Sequence, residues 1–115
     1  MIYTTETLLP AATTYTGSPI VTGNAVIGAS YYGNKVNGIQ TATINTTGFV
    51  GNIKLQATLY TLAEQAQWFD VDMIDASASQ LTGTTAVTLI GNFVWVRARV
   101  EDFSAGTVNT ATLTF

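Results

Sequence analysis

Ile53-Lys54-Leu55-Gln56-Ala57-Thr58-Leu59-Tyr60 alternates apolar and polar side chains without a break. Successive residues of a strand point to opposite faces, so this spacing predicts that Ile53, Leu55, Ala57 and Leu59 enter a core while Lys54, Gln56, Thr58 and Tyr60 look outward. Phe93 to Phe103 follows the same rule, with Val94, Val96, Ala98 and Val100 on one face and Phe93, Trp95, Arg97, Arg99 and Glu101 on the other. Bulky groups on both sides predict a strand covered on both faces, as inside a sandwich or at a subunit contact.

The same period recurs at 2–9, 20–28, 38–46, 68–74, 85–90 and 107–115. Gly17-Ser18-Pro19, Gly33-Asn34, Asn37-Gly38, Gly83 and Ala105-Gly106 read as the punctuation between these runs. About eight strands in so short a chain predict one all-β domain over 1–115, an antiparallel β-sandwich of jelly-roll-like or immunoglobulin-like form. The one stretch that favours a helix is Thr61 to Gln67, read as a crossover of one or two turns. Phe49-Val50-Gly51-Asn52-Ile53 and Leu89-Ile90-Gly91-Asn92-Phe93 echo each other, and Val21-Thr22-Gly23-Asn24 does so less well. Gly and Asn both tolerate positive φ, so shared turn chemistry explains the echo without a duplication.

Composition narrows the function. The 115 residues are 47% apolar and only 10% charged, with a mean hydropathy of +0.29, whereas about 25% charged is usual for a soluble domain. Such a chain has little charge with which to keep a monomer's surface wet. The formal net charge is −3 and the pI about 4.4, so the basic footprint that neutralises phosphates is missing and no nucleic-acid partner is expected. No His and no Cys occur, which removes imidazole bases, thiol nucleophiles, zinc and iron–sulfur ligation by these residues, and disulfides. Met1 to Glu6 shows no basic n-region, no run reaches the roughly 18 apolar residues of a spanning helix, and the alternation with a terminal Phe115 that membrane barrels share is not accompanied by a secretory signal. No membrane partner is expected.

Thr is the residue in excess: 21 occur, often at alternate positions, as in Thr41-Ala42-Thr43 and Thr110-Ala111-Thr112-Leu113-Thr114. A β-branched hydroxyl residue suits a sheet face that is neither core nor strongly hydrated. Asp70, Asp72 and Asp75 form the densest carboxylate cluster, but they lack the Gly and closing Glu of a calcium loop. Alternation places Asp70 and Asp72 together on a solvated strand face, opposite Phe69, Val71 and Met73. Adding Glu64 gives a carboxylate set for glycoside hydrolysis, yet a domain of this size has little cleft to set between the members. No enzyme, cofactor or metal is expected.

Tyr31 and Tyr32 lie in a loop-like stretch and offer rigid area with a hydroxyl, suited to a protein contact or to stacking on a sugar. Trp68 and Trp95 sit in apolar segments and read as core or sandwich rim. Arg97 and Arg99 are half of all positive charge, expected to pair with Asp70, Asp72 or a neighbouring subunit. Asn45-Thr46-Thr47 matches the glycosylation pattern, expected here to be accidental. Tyr31, Tyr32, Trp95, Arg97 and Arg99 are therefore the candidate assembly contacts.

Phe49 to Leu59, Trp68-Phe69 and Gly91 to Val100 together resemble small virion structural proteins of tailed bacteriophages, particularly the marine and cyanobacterial myophages. The resemblance implies a β-rich component of a capsid, neck, tail or fibre, resident in the virion, partnered by copies of itself and other virion proteins. It brings no catalytic residue. The alternative is a carbohydrate- or host-receptor-binding module that stacks exposed aromatics on a host-surface glycan.

Overall fold

In the computed structural model, residues 5–29, 38–60 and 67–115 are described. The expected helix at Thr61 to Gln67 falls almost wholly outside them. Eight strands run in order: β1 (Thr5–Leu9), β2 (Thr13–Thr14), β3 (Val21–Thr22), β4 (Val26–Ile27), β5 (Ile39–Thr58), β6 (Phe69–Asp75), β7 (Leu81–Ile90) and β8 (Trp95–Thr114). All pairings are antiparallel and belong to one sheet.

Its spine is a pair of 20-residue strands, β5 and β8. The far edge of β5 carries β7 along its first half and β6 along its second. The far edge of β8 carries β4, β3, β2 and β1 in turn. The sequence reading divided each spine strand in two, at Gly51-Asn52 and at Ala105-Gly106. Both places are bulges, where the β5–β8 register shifts between Thr47 and Asn52. An extra residue in one strand bends the sheet and flips which residues face in. Before the bulge β5 buries Gln40, Ala42, Ile44 and Thr46; beyond it, Phe49, Ile53, Leu55 and Ala57.

Glycine makes the bend possible. Gly48 (φ 59) and Gly106 (φ 86) occupy the left-handed region on facing strands, and a Cβ on Gly106 would lie 2.3 Å from the Gly48 carbonyl oxygen. No side chain fits between two backbones that close. Phe49 and Phe103 fill the inside of the corner with ring centroids 5.4 Å apart, and Tyr15 stacks on Phe103 at the same distance.

Inner residues from both sides of the bend, among them Ala42, Ile44, Ala111 and Leu113 from one and Ile53, Leu55, Val96, Ala98 and Val100 from the other, belong to one buried cluster. The all-β, eight-stranded antiparallel architecture read from the sequence is present, its two layers made by one sheet turned over on itself. Buried Gln40 anchors the end of β7: its Oε1 accepts from Ala29 N at 2.8 Å and its Nε2 donates to Leu89 O at 2.8 Å. Such a polar group is tolerated inside because its hydrogen bonds are made.

Several residues depart from the alternation and turn expectations, Gln56 among them, expected outward but only 9% exposed. Leu59 lies just past the end of β5 and is 62% exposed, while Thr58 is fully buried and accepts from Tyr60 N through its hydroxyl. Phe93 precedes β8 and turns into the core. Gly83, read as a break, is inside β7.

Candidate functional site

The two halves of the sheet have outer faces of opposite character. Beyond the bend, Trp95, Arg97, Arg99 and Glu101 of β8 stand across from Thr58, Gln56, Lys54 and Asn52 of β5. The expected arginine face therefore exists, and a connected network runs over it. Arg97 Nε donates to Gln56 Oε1 at 2.8 Å, and Gln56 Nε2 donates to Asp70 Oδ1 at 2.8 Å. Lys54 Nζ lies 3.5 Å from Asp70 Oδ2 and 3.0 Å from Glu101 Oε1. Arg99 Nε is 2.9 Å from Glu101 Oε2, an ion pair by distance that is not aligned as a hydrogen bond. The Trp68 ring covers Arg97 at 4.3 Å from its centroid, a cation–π contact that places this tryptophan at the sandwich rim.

These contacts set the charges. The amide hydrogen bond from Gln56 holds the Asp70 carboxyl below its ordinary pKa, helped by Lys54 and opposed by partial desolvation. Lys54 is raised, first by its hydrogen bond to Glu101 and then by the charge of Asp70. Burial lowers the Arg97 pKa, with Arg99 adding to the effect. The guanidinium and ammonium groups face carboxylates and amides already present, so the face is neutralised from within and makes a poor cradle for an added anion.

Asp70 and Asp72 do not share a face in the way alternation predicted. The β5–β6 register shifts between Leu55 and Gln56, skipping Val71, which leaves Asp70 beside Gln56 and Asp72 across from Leu55. Asp72 accepts from Met73 N, and Asp75 is held below its ordinary pKa by the Ser77 hydroxyl and backbone N–H. Among the described residues no three acidic groups gather as a metal site would need.

The other outer face carries threonine in register. Thr5, Thr114, Thr41 and Thr88 form one row across β1, β8, β5 and β7; Thr7, Thr112, Thr43 and Ala86 form the next; Thr110, Asn45 and Thr84 form a third. Asn45 Nδ2 donates to Thr84 Oγ1, and Asn109 Nδ2 donates to Asn45 Oδ1, both at 2.8 Å. At the end of these rows Ile39 and Ile90 face each other, 47% and 74% exposed. The sequence showed the excess of Thr but not that four strands would align it.

A third feature is a cleft of about 310 Å³ lined by Leu59, Tyr60, Gln67, Trp68 and Phe69. Tyr60 and Phe69 are exposed there; Tyr60 looks outward as its spacing predicts, whereas Phe69, expected opposite the solvated face, does not enter the core. Tyr31 and Tyr32, the other expected contacts, lie outside the described residues. Comparison with known proteins finds no matching family model and no matching curated protein.

Proposed function

We propose that this chain is a non-enzymatic structural module of a tailed-phage virion, in the capsid, neck, tail or fibre, acting through contacts with copies of itself and with other virion proteins. The observation that carries the reading is the segregation of charge. Among the described residues, Lys54, Asp70, Asp72, Asp75, Arg97, Arg99, Glu101 and Asp102 all lie on or beside one half of the sheet, and Glu6 is the single charged side chain of the other. That second half presents threonine rows ending in the exposed Ile39 and Ile90. A surface with so little charge suits coverage by protein, and covering a side chain such as Ile90 fully would contribute roughly 1.5–3 kcal/mol. Phage context rests on the sequence resemblance, with which this surface agrees. The test is light scattering over a wide concentration range together with an electron-microscopy map of the native particle. A soluble monomer that touches its neighbours in the particle only through a small wet contact refutes it.

The cleft supports a second reading, binding of a host-surface glycan. Exposed Tyr60 and Phe69 beside Trp68 supply stacking surfaces, and Gln67 supplies an amide. Glycan-array binding lost in Tyr60→Ala and Phe69→Ala favours this reading; an array with no signal excludes the glycans it displays.

A further inference from the structure

A sheet that closes into a barrel has no edges, but among the described residues this one has three stretches of edge, and they are protected unequally. Along β8 the edge is made by β1 and by three strands of two residues each, interrupted by both of the chain's prolines, Pro10 and Pro19, and flanked by Glu6. Along the second half of β5 it is β6, where Asp70, Asp72 and Asp75 fall within seven residues. Short strands, prolines and charges are the devices that stop strand edges from pairing with other chains. The third edge is β7, ten residues, Leu81-Thr82-Gly83-Thr84-Thr85-Ala86-Val87-Thr88-Leu89-Ile90, with no charge and no proline. From Gly83 to Ile90 it pairs with β5 without a shift of register, so this stretch is a regular ladder. Alternate residues of such a strand turn their N–H and C=O groups toward β5, and the others turn theirs to the open side.

We propose that β7 is the self-assembly edge of the protein, pairing antiparallel with β7 of a second copy about a two-fold axis. The proposal rests on the assembly reading and names the surface and the partner. A charge-free strand meets its own copy without repulsion, whereas the three aspartates of β6 would oppose one another in the equivalent pairing. An isologous contact is also the commonest way in which a chain pairs with itself. Keeping the threonine rows on one continuous face requires that even-numbered residues meet even-numbered residues. Of the registers that do so, those with the axis beside Ala86 or beside Val87 pair the most of the regular stretch from Gly83 to Ile90. In the first case Ala86 meets its own copy and Thr84 meets Thr88; in the second Ala86 meets Thr88 and Thr84 meets Ile90. Either arrangement sets Ile90 against the strand of the partner copy and joins two threonine faces into one sheet of double width.

Because the protein has no cysteine, introduced thiols report on this geometry without background. Thr84→Cys, Ala86→Cys and Thr88→Cys are made singly and mixed in pairs, then treated with a short bis-maleimide. One of the two sets is expected: Ala86→Cys with itself and Thr84→Cys with Thr88→Cys, or Ala86→Cys with Thr88→Cys alone. Equal cross-linking of all three single variants with themselves, or none at any position, overturns the proposal. As a second measurement, Thr84→Lys with Thr88→Lys is expected to weaken self-association by about tenfold or more, since the lysines stand directly opposite one another in the first register and diagonally across the ladder in the second. Asp72→Lys, exposed on the charged half and away from β7 and the threonine face, should leave it unchanged. Association that persists in light scattering without the predicted cross-links means that the edge inference fails while the assembly reading stands; loss of both, with no contact in the particle, removes both.

Discussion

Replacing Gly106 with alanine tests the bend that turns one sheet into two layers. The added Cβ would lie 2.3 Å from Gly48 O, 2.4 Å from Gly48 C and 2.6 Å from Phe49 Cα, all backbone atoms that cannot swing aside, at a φ of +86°. Gly48 itself sits at +59° with nothing within 4 Å of its hypothetical Cβ. Gly48→Ala therefore meets only the left-handed backbone penalty, about 1–2 kcal/mol. Gly106→Ala adds forced separation of two strands, which for overpacking is about 1–3 kcal/mol, and so should reach roughly 2–5 kcal/mol. Against a total stability of about 5–15 kcal/mol for a domain of ordinary size, that is a large fraction. In urea, with a slope of about 2 kcal/mol per molar, the midpoint should fall by roughly 1–2.5 M for Gly106→Ala and by roughly 0.5–1 M for Gly48→Ala. Gly48→Asn should stay close to the parent, because Asn visits this region readily. Equal losses at the two glycines, or an unchanged midpoint for Gly106→Ala, would refute the close approach of the two backbones.

Leu55→Ala removes a fully buried side chain and should cost about 2–5 kcal/mol in urea unfolding, while Thr43→Ala on the threonine face should stay within ~0.5 kcal/mol. Gln40→Met keeps the volume but orphans Ala29 N, so a loss of about 1–3 kcal/mol and faster amide exchange at Ala29 are expected. Asp70 has a folded pKa lowered from the ordinary value, so its contribution is present above the unfolded carboxylate pKa and disappears as pH falls through the lowered folded value. Asp70→Asn should accordingly flatten the acid limb of the stability profile below about pH 5, and parallel limbs for the two proteins would count against the Gln56 and Lys54 contacts.

Alternation made the β class legible because each spine strand buries one face: Ile53, Leu55 and Ala57 on β5 and Val96, Ala98 and Val100 on β8 are all buried as their spacing requires. Connectivity was less legible for a specific reason. Gly51-Asn52 and Ala105-Gly106 carry residues suited to a turn, and local composition does not distinguish a chain that reverses from one that bulges and continues. What decides between them is the facing strand: Gly48 lies against Gly106, a long-range coincidence that no window of one segment contains. The same limit explains Asp70 and Asp72, whose shared face depends on an alternation that the bulge at Val71 interrupts.

The surface is harder to read than the core because its meaning lies in what strands do side by side. Arg97 and Arg99 were visible as a pair, but Gln56, which bridges Arg97 to Asp70, gained its role only when β5 came between β8 and β6. Likewise the threonines of β1, β5, β7 and β8 read separately as four amphipathic strands, and become a broad uncharged face through register alone. The distribution of charge then follows from the same topology. The few ionisable side chains satisfy one another across β5, β6 and β8, which stabilises that half as a finished surface, and they leave β7 as the long edge with neither charge nor proline to close it.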